Sequence, residues 1–379
     1  MTQTSELYRP DHELFRDSVR RFMAERVGPR LEAWAERGCF DPAIFREAGA
    51  LGLLCPTVPE SLGGPGADLL YSAVLLEEAA PYSNFGLSLT MHSEIVTNYL
   101  LHFASPQLQA QWLPRMVTGE AIGALAMTEP DGGSDVKAIR THAVLEDGHF
   151  RLNGAKTFIS NATTCDLVIV VARTEPDAGA RGISLLVVDT TLPGVRKGQP
   201  LKKIGLKSQD TGELFFEDVR VPADQLLGER GQGFVYLMKE LPWERLQIAV
   251  SAVAAAEDAY RQTLAYVRDR RAFGQAVADF QHTRFLLAEL KTEIRIGRTF
   301  VERCLADLMA GRLDAQAASM AKYWCSDLQG RVVDACVQLH GGYGFMAEVP
   351  IGRAYVDARA QRIYGGTNEI MKELIARDL

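Results

Sequence analysis

No apolar run in this chain approaches the length of a membrane-spanning helix, which argues against membrane insertion. There is no basic stretch and no acidic tail, and the formal net charge is -7. That balance argues against a nucleic-acid partner, and an acidic ligand would need a local basic site. The six cysteines (Cys39, Cys55, Cys165, Cys304, Cys325 and Cys336) form no CxxC pair. They read as reduced core thiols, not as a disulfide framework. The seven histidines show neither HExxH nor another ligand spacing, so no metal site is expected. No GxxxxGK[ST] loop is present, and "GYGFMA" (Gly342 to Ala347) fits only the loose GxGxxA form. It follows the helical "GRVVDACVQLH" and leads into "EVPIG", whereas a dinucleotide fingerprint needs a strand before it and a helix after it. The start, "MTQTSELYRPDHELFRDSVRRF", has neither the apolar centre of a signal peptide nor the acid-free character of a transit peptide. The expected location is therefore cytoplasmic.

What is present is 379 residues, 47% of them hydrophobic, enough for two or three domains with ample cores. From Asp11 to about Gly119 apolar residues recur at spacings of three and four, as in "ELFRDSVRRFMAERV" and "LLYSAVLLEEAA". From about Ala121 the period changes. "HAVLEDGHFRLNG" predicts a strand, an Asp147-Gly148 turn and a second strand. "DLVIVVART", "GISLLVVDT" and "ELFFEDVRVP" are short, β-branched and bounded by Gly, Pro and Asp, as strands tend to be. After "GERGQGF" long Ala- and Leu-rich amphipathic segments run to the end. There is no internal repeat and no low-complexity linker. The order is helical, then β, then helical, whereas a doubly wound nucleotide fold would alternate strand and helix throughout.

Two segments at the first boundary carry chemistry. In "LAMTEPDGGSD" (Leu125 to Asp135), Thr128, Ser134, Gly132 and Gly133 cluster where backbone could approach a phosphate and hydroxyls could bond to it. The segment reads equally well as a polar turn. "LNGAKTFISNA" (Leu152 to Ala162) could be a plain strand, its exposed face then carrying Lys156, Phe158 and Ser160.

Taken together, "AMTEPDGGSD", "NGAKTFISN", "DRRAFGQAVADFQ", "QLHGGYGF" and "IYGGTNEI" follow one another in an order and spacing that resembles the acyl-CoA dehydrogenase family along nearly the whole chain. The final "DARAQRIYGGTNEIMKELIARD" is most similar to the long-chain branch. The resemblance implies an α+β, mostly α fold: an N-terminal helical domain (1–120), a middle β-barrel-like domain (121–232) and a C-terminal four-helix bundle (233–379). It implies FAD between the last two. Met127, Thr128, Gly133 and Ser134 match the segment that holds the flavin and pyrophosphate, Ser134 also touching substrate. Phe158 and Ser160 match the aromatic-x-hydroxyl pair beside the isoalloxazine, where many relatives have Trp and Thr. Arg270 matches an arginine that reaches the FAD of a neighbouring subunit, with Phe273 and Gln281 following it. A guanidinium fork suits a pyrophosphate, although without the motif Arg270 would read as a solvated helix charge beside Arg268 and Arg271. Gln338, Gly341 and Gly342 match the loop over the partner's adenosine, and Thr367 and Glu369 match residues on the flavin side. Shared cofactor sites imply a homo-oligomer, usually a tetramer.

The chemistry needs a carboxylate close to the substrate α-carbon, placed and desolvated. In the medium- and short-chain members that glutamate directly follows the tyrosine of "IYGG"; here Tyr364 is followed by Gly365. The resemblance to the long-chain and isovaleryl branches offers a substitute, Glu244 in "KELPWERLQIAV", with Arg245 able to orient or balance it. Locally Glu244 would read as a first-turn helix glutamate behind Pro242. A small residue at 365 is expected to leave space opposite the relocated base. Its N–H keeps the family's hydrogen bond to the thioester carbonyl, which acts as an oxyanion hole. Trp243 and Tyr364 are expected to border the acyl pocket. The activity implied is α,β-dehydrogenation of an acyl-CoA to the trans-2-enoyl thioester, with electrons passed to an electron-transfer flavoprotein. The same chemistry on a carrier-protein-tethered acyl group, an oxygen-reactive oxidase, and a non-catalytic flavoprotein scaffold are the alternatives. Glu244 argues against the last of these, and equally against a monooxygenase.

Overall fold

In the computed structural model, which describes residues 7–377 and Leu379, the chain starts as a layer of helices. The first six residues of the expected N-terminal domain and Asp378 lie outside the described residues. The helices are α1 (Pro10–Phe22), α2 (Leu31–Arg37), α3 (Ala43–Ala50), α4 (Leu69–Ala79), α5 (Ser83–Thr90), α6 (Thr97–Phe103) and α7 (Pro106–Val117). Their ends follow from local chemistry. Asp68 accepts the Leu70 N–H ahead of α4, and Ser105 accepts the Leu108 N–H ahead of α7. A π-helical turn, Met91–Val96, joins α5 to α6.

The period change at residue 121 becomes a sheet: β1 (Gly123–Ala126), β2 (His142–Glu146), β3 (His149–Ser160), β4 (Leu167–Arg173), β5 (Ile183–Asp189), β6 (Val195–Lys197) and β7 (Thr211–Pro222). The order is β1-β4-β2-β3-β7-β6, with β5 also paired to β4. Asp147 and Gly148 both take positive φ, 47° and 75°, and close the expected β2–β3 hairpin. Strand β4 is buried on both faces, which is why "DLVIVVART" shows no alternation. Leu167, Ile169 and Val171 pack on the N-terminal helices, while Val168 and Val170 fill the interior of the curled sheet with Phe150, Leu152 and Phe216.

Helix α8 (Gly233–Asp269) then opens a bundle with α9 (Gln281–Met309), α10 (Ala315–His340), α11 (Pro350–Ala358) and α12 (Asn368–Ala376). A short hairpin, β8 (Arg271–Ala272) with β9 (Gln275–Ala276), turns α8 into α9. The two helical regions share a core. Leu70, Ala73 and Leu76 of α4 pack with Trp243, Leu246 and Val250 of α8, Val301 of α9 and Ala321 of α10. A buried ion-pair network adds to it. Glu77 accepts a hydrogen bond from Arg16 Nη1 at 2.6 Å, another from Tyr8 Oη at 3.0 Å, and a third from Arg298. All six cysteines are free, five of them buried. Among the described residues no helix is long and apolar enough to cross a membrane.

Candidate active site

Glu244 lies on the twelfth residue of α8, well inside the helix, since α8 begins at Gly233. Neither it nor Pro242 is at a helix start, which removes the first-turn reading. Glu244 is buried with Arg245 and Trp243. Tyr99 Oη, fully buried on α6, donates to Glu244 Oε1 at 2.9 Å. Burial pushes the Glu244 carboxyl up to about 7, against the Tyr99 hydrogen bond, with the Glu240 charge adding to the rise and Arg245 opposing it. Arg245 donates from Nη1 to Ser319 Oγ at 3.3 Å, and burial holds its guanidinium below the usual range.

One turn further along α8, Ile248 meets the "IYGG" loop. Gly365 has φ 65°, and a β-carbon there would lie 2.3 Å from Ile248 Cδ1. The end of the Ile248 side chain therefore occupies the place a β-carbon at 365 would take, and the left-handed backbone independently disfavours a side chain there. Lys322 of α10 ties the loop down, donating to Gly366 O at 2.7 Å and Asn368 Oδ1 at 2.9 Å. Tyr364 is half-buried beside Gly365, and Thr367 caps α12 by accepting the Ile370 N–H at 3.3 Å. Glu369 is exposed in the first turn of that helix.

The two glycine- and hydroxyl-bearing segments at the β boundary lie against each other. Thr157 N donates to Thr128 O at 3.0 Å, and Lys156 Nζ donates to Met127 O at 3.0 Å and Glu129 Oε1 at 2.9 Å. Lys156 is fully buried, so it does not share an exposed face with Phe158 and Ser160. The cause is a break in register between Lys156 and Ile159, where Phe158 takes φ 58° and turns a 68%-exposed ring outward. Burial brings the Lys156 ammonium down to about 8, with Glu129 opposing. Met127 and Thr128 are half-buried, Ser160 likewise, and Gly133 and Ser134 are exposed. Nothing stands within 4 Å of a β-carbon position at Gly132.

A third group forms at the far end of α8 and α10. Arg270, Gln338, Gly341, Gly342 and Tyr343 line one open cleft of about 500 Å³, in which the Tyr266 and His340 rings stack at 4.2 Å. Arg270 forms no ion pair among the described residues, and its guanidinium lies 6.0 Å from the Tyr343 ring. Phe273, at the tip of the β8–β9 hairpin, is 97% exposed, and Gln281 is exposed at the start of α9. Thus the residues expected from sequence fall into three groups: Glu244 with the 364–369 loop, the 127–134 segment with 158–160, and the Arg270 cleft. Tyr99, Glu129 and Lys322 were missed, because each is linked to its partner across a long stretch of chain and looks locally like core or surface.

Three family models match in succession: the N-terminal domain of acyl-CoA dehydrogenase over residues 9–120, its middle domain over 124–219 and its C-terminal domain over 231–379. The chain belongs to the acyl-CoA dehydrogenase family, enzymes that oxidise acyl-CoA with FAD. It is 50% identical over 376 residues to the mitochondrial long-chain specific acyl-CoA dehydrogenase of Rattus norvegicus, covering 98% of this chain and 87% of that one. The crystal structure of acyl-CoA dehydrogenase from Geobacillus kaustophilus matches with a TM-score of 0.97 and 45% identity, over 99% of both chains. An FAD complex from Bacillus anthracis matches at 0.92 and 30% identity, over 98% of this chain and 68% of that one. The residues present fit an FAD. An uncovered aromatic face at Phe158, an open glycine turn at 132–133 and an unpaired guanidinium at Arg270 supply the flat apolar wall, the close backbone approach and the anion-binding fork that a flavin dinucleotide requires.

Proposed function

We propose that this enzyme removes the α-proton of a medium-to-long or branched acyl-CoA with Glu244 and forms the trans-2-enoyl-CoA. The observation that carries the reading is the state of Glu244: buried, oriented by Tyr99, and raised to about 7 by desolvation. A carboxylate with that affinity for a proton suits an α-proton base near neutral pH. The chemistry FAD supplies when bound is hydride acceptance from the substrate β-carbon at N5. Met127, Thr128, Gly133, Ser134, Phe158 and Ser160 would hold its flavin end, with Thr367 and Glu369 on the same side. Arg270, Phe273, Gln281, Gln338, Gly341 and Gly342 would serve a neighbouring subunit's cofactor. The Gly365 N–H binds the thioester oxygen as charge develops on it, and Trp243 and Tyr364 border the acyl chain. Arg245 balances the ionised base from behind.

A homo-oligomer, usually a tetramer in this family, is supported by the aromatic surface left bare around the Arg270 cleft, where Phe273, Tyr343 and Phe345 are all exposed. The unit boundaries near 120 and 232 fall in non-helical connections, before β1 and before α8. The proposed electron acceptor is an electron-transfer flavoprotein. The identity to a long-chain specific relative supports the chain-length assignment.

The test is anaerobic bleaching of the bound flavin by straight and branched acyl-CoAs, wild type beside Glu244→Gln. Bleaching should fall by about 100- to 10,000-fold in the variant, the usual range for a lost general base. Equal rates would make Glu244 a structural helix residue. Absence of bleaching by every acyl-CoA in wild type would move the substrate to a carrier-tethered acyl group.

A further inference from the structure

Each turnover leaves the substrate's α-proton on Glu244, and that proton must leave a buried carboxyl before the base can act again. Three polar side chains bear on it: Tyr99 from α6, and Arg245 and Glu240 from α8. Tyr99 is wholly enclosed, and burial, then the Glu244 charge, keeps its phenol from ionising, so it offers no way out. Arg245 is a cation with no acceptor. Glu240 differs from both. It stands one helical turn before Glu244 on the same face of α8, a spacing that sets β-carbons about 5–6 Å apart, close enough for a single water to span the carboxyls. It is itself buried, yet its Oε1 lies 2.7 Å from His102 Nδ1, and the His102 side chain is 54% exposed. Tyr99 and His102 are three residues apart on α6. The two helices therefore form a ladder of two rungs, Tyr99–Glu244 within the core and His102–Glu240 at the edge of solvent.

We propose that Glu240 and His102 carry the abstracted proton from Glu244 to bulk water. The proposal rests on Glu244 being the base. In the step, the O–H bond of protonated Glu244 breaks and its proton passes to the Glu240 carboxylate. Glu240 gives it to His102 Nδ1, and the imidazolium releases a proton from Nε2 to water. Exchange with solvent resets the imidazole tautomer. One proton moves, no electrons do, and both glutamates end as carboxylates. The hydrogen bond between His102 and the Glu240 carboxylate, and then that carboxylate's charge, raises the His102 imidazole above its usual range, so the pair as a whole attracts a proton at the solvent end of the path.

The experiment separates proton exit from proton abstraction. The holoenzyme is given 3-thiaoctanoyl-CoA, whose β-sulfur has no hydride to lose, in D2O, and washout of the α-hydrogens is followed by mass spectrometry. Bleaching by octanoyl-CoA is measured in parallel per bound flavin. In Glu240→Gln and His102→Ala the ratio of washout to bleaching should drop by about tenfold or more, the scale of a lost proton relay. Added imidazole should restore washout in His102→Ala. An unchanged ratio in both variants, or a parallel loss of washout and bleaching that imidazole does not reverse, overturns the path. Glu244→Gln distinguishes the two claims: if it still exchanges and bleaches, the assignment of the base has failed, whereas failure of the path alone leaves Glu244→Gln inactive in both assays.

Discussion

The Glu244 carboxyl costs the folded state stability wherever it must ionise. Its proton affinity is raised from 4.5 to about 7 in the fold, so between those values the native chain binds more protons than the unfolded one. This contribution to stability is therefore intact below about pH 4.5, declines as pH rises, and is fully lost above about 7. Glu244→Gln, which has no such ionisation, should gain up to about 3 kcal/mol over wild type at pH 8 and nothing at pH 4.5, read by urea unfolding at matched flavin content. The same ionisation should make wild-type kcat/KM climb with pH up to about 7 and then level off. Glu244 was legible because two substitutions agree, the glutamate of "ERL" and the glycine after Tyr364. Tyr99 was not, since a tyrosine in an apolar helix reads as core until α6 is seen against α8.

At the scale of elements, sequence period gave the three regions and the β2–β3 hairpin, but it could not show irregularities within them. The register break at Phe158 reverses which side chains of β3 face out, and alternation alone assigned Lys156 to the wrong side. The buried Lys156–Glu129 pair then joins β3 to the 127–134 segment. Glu129 is held below the usual carboxylate range because hydrogen bonds from Thr141, the Arg140 N–H and Lys156 outweigh its burial. Lys156→Met should strand that carboxylate and cost about 3–5 kcal/mol, with loss of FAD affinity, whereas Lys156→Met with Glu129→Leu should recover most of the stability. Denaturant titration of the single and double variants checks this. In the sequence, a glycine after Tyr364 suggests room for the base. The contact with Ile248 shows that the loop and α8 are closely fitted at this glycine, so Gly365→Ala should destabilise by about 1 kcal/mol or more even in an Ile248→Val background, because the positive φ remains.

For the whole molecule, the proposal that the Arg270 cleft serves a neighbouring subunit's cofactor makes assembly and FAD retention a single question. Phe273→Asp should break the bare aromatic surface and yield smaller species in analytical ultracentrifugation, and Arg270→Gln should weaken FAD binding by about tenfold, the value of one charge-assisted hydrogen bond. If Phe273→Asp dissociates the assembly and yet retains FAD at wild-type affinity, cofactor sites are not shared between subunits. The Glu77 network has a further consequence, for how the chain is made. Arg298, one of its cations, is 221 residues downstream, and the apolar face of α4 waits for Trp243, Val301 and Ala321 before it is covered. During synthesis the early helices therefore emerge with Glu77 paired only to Arg16 and Tyr8, and with an apolar stripe that no nearby segment covers. The ribosome must complete the sheet and most of the last bundle first, leaving the nascent N-terminal half a natural client for chaperones.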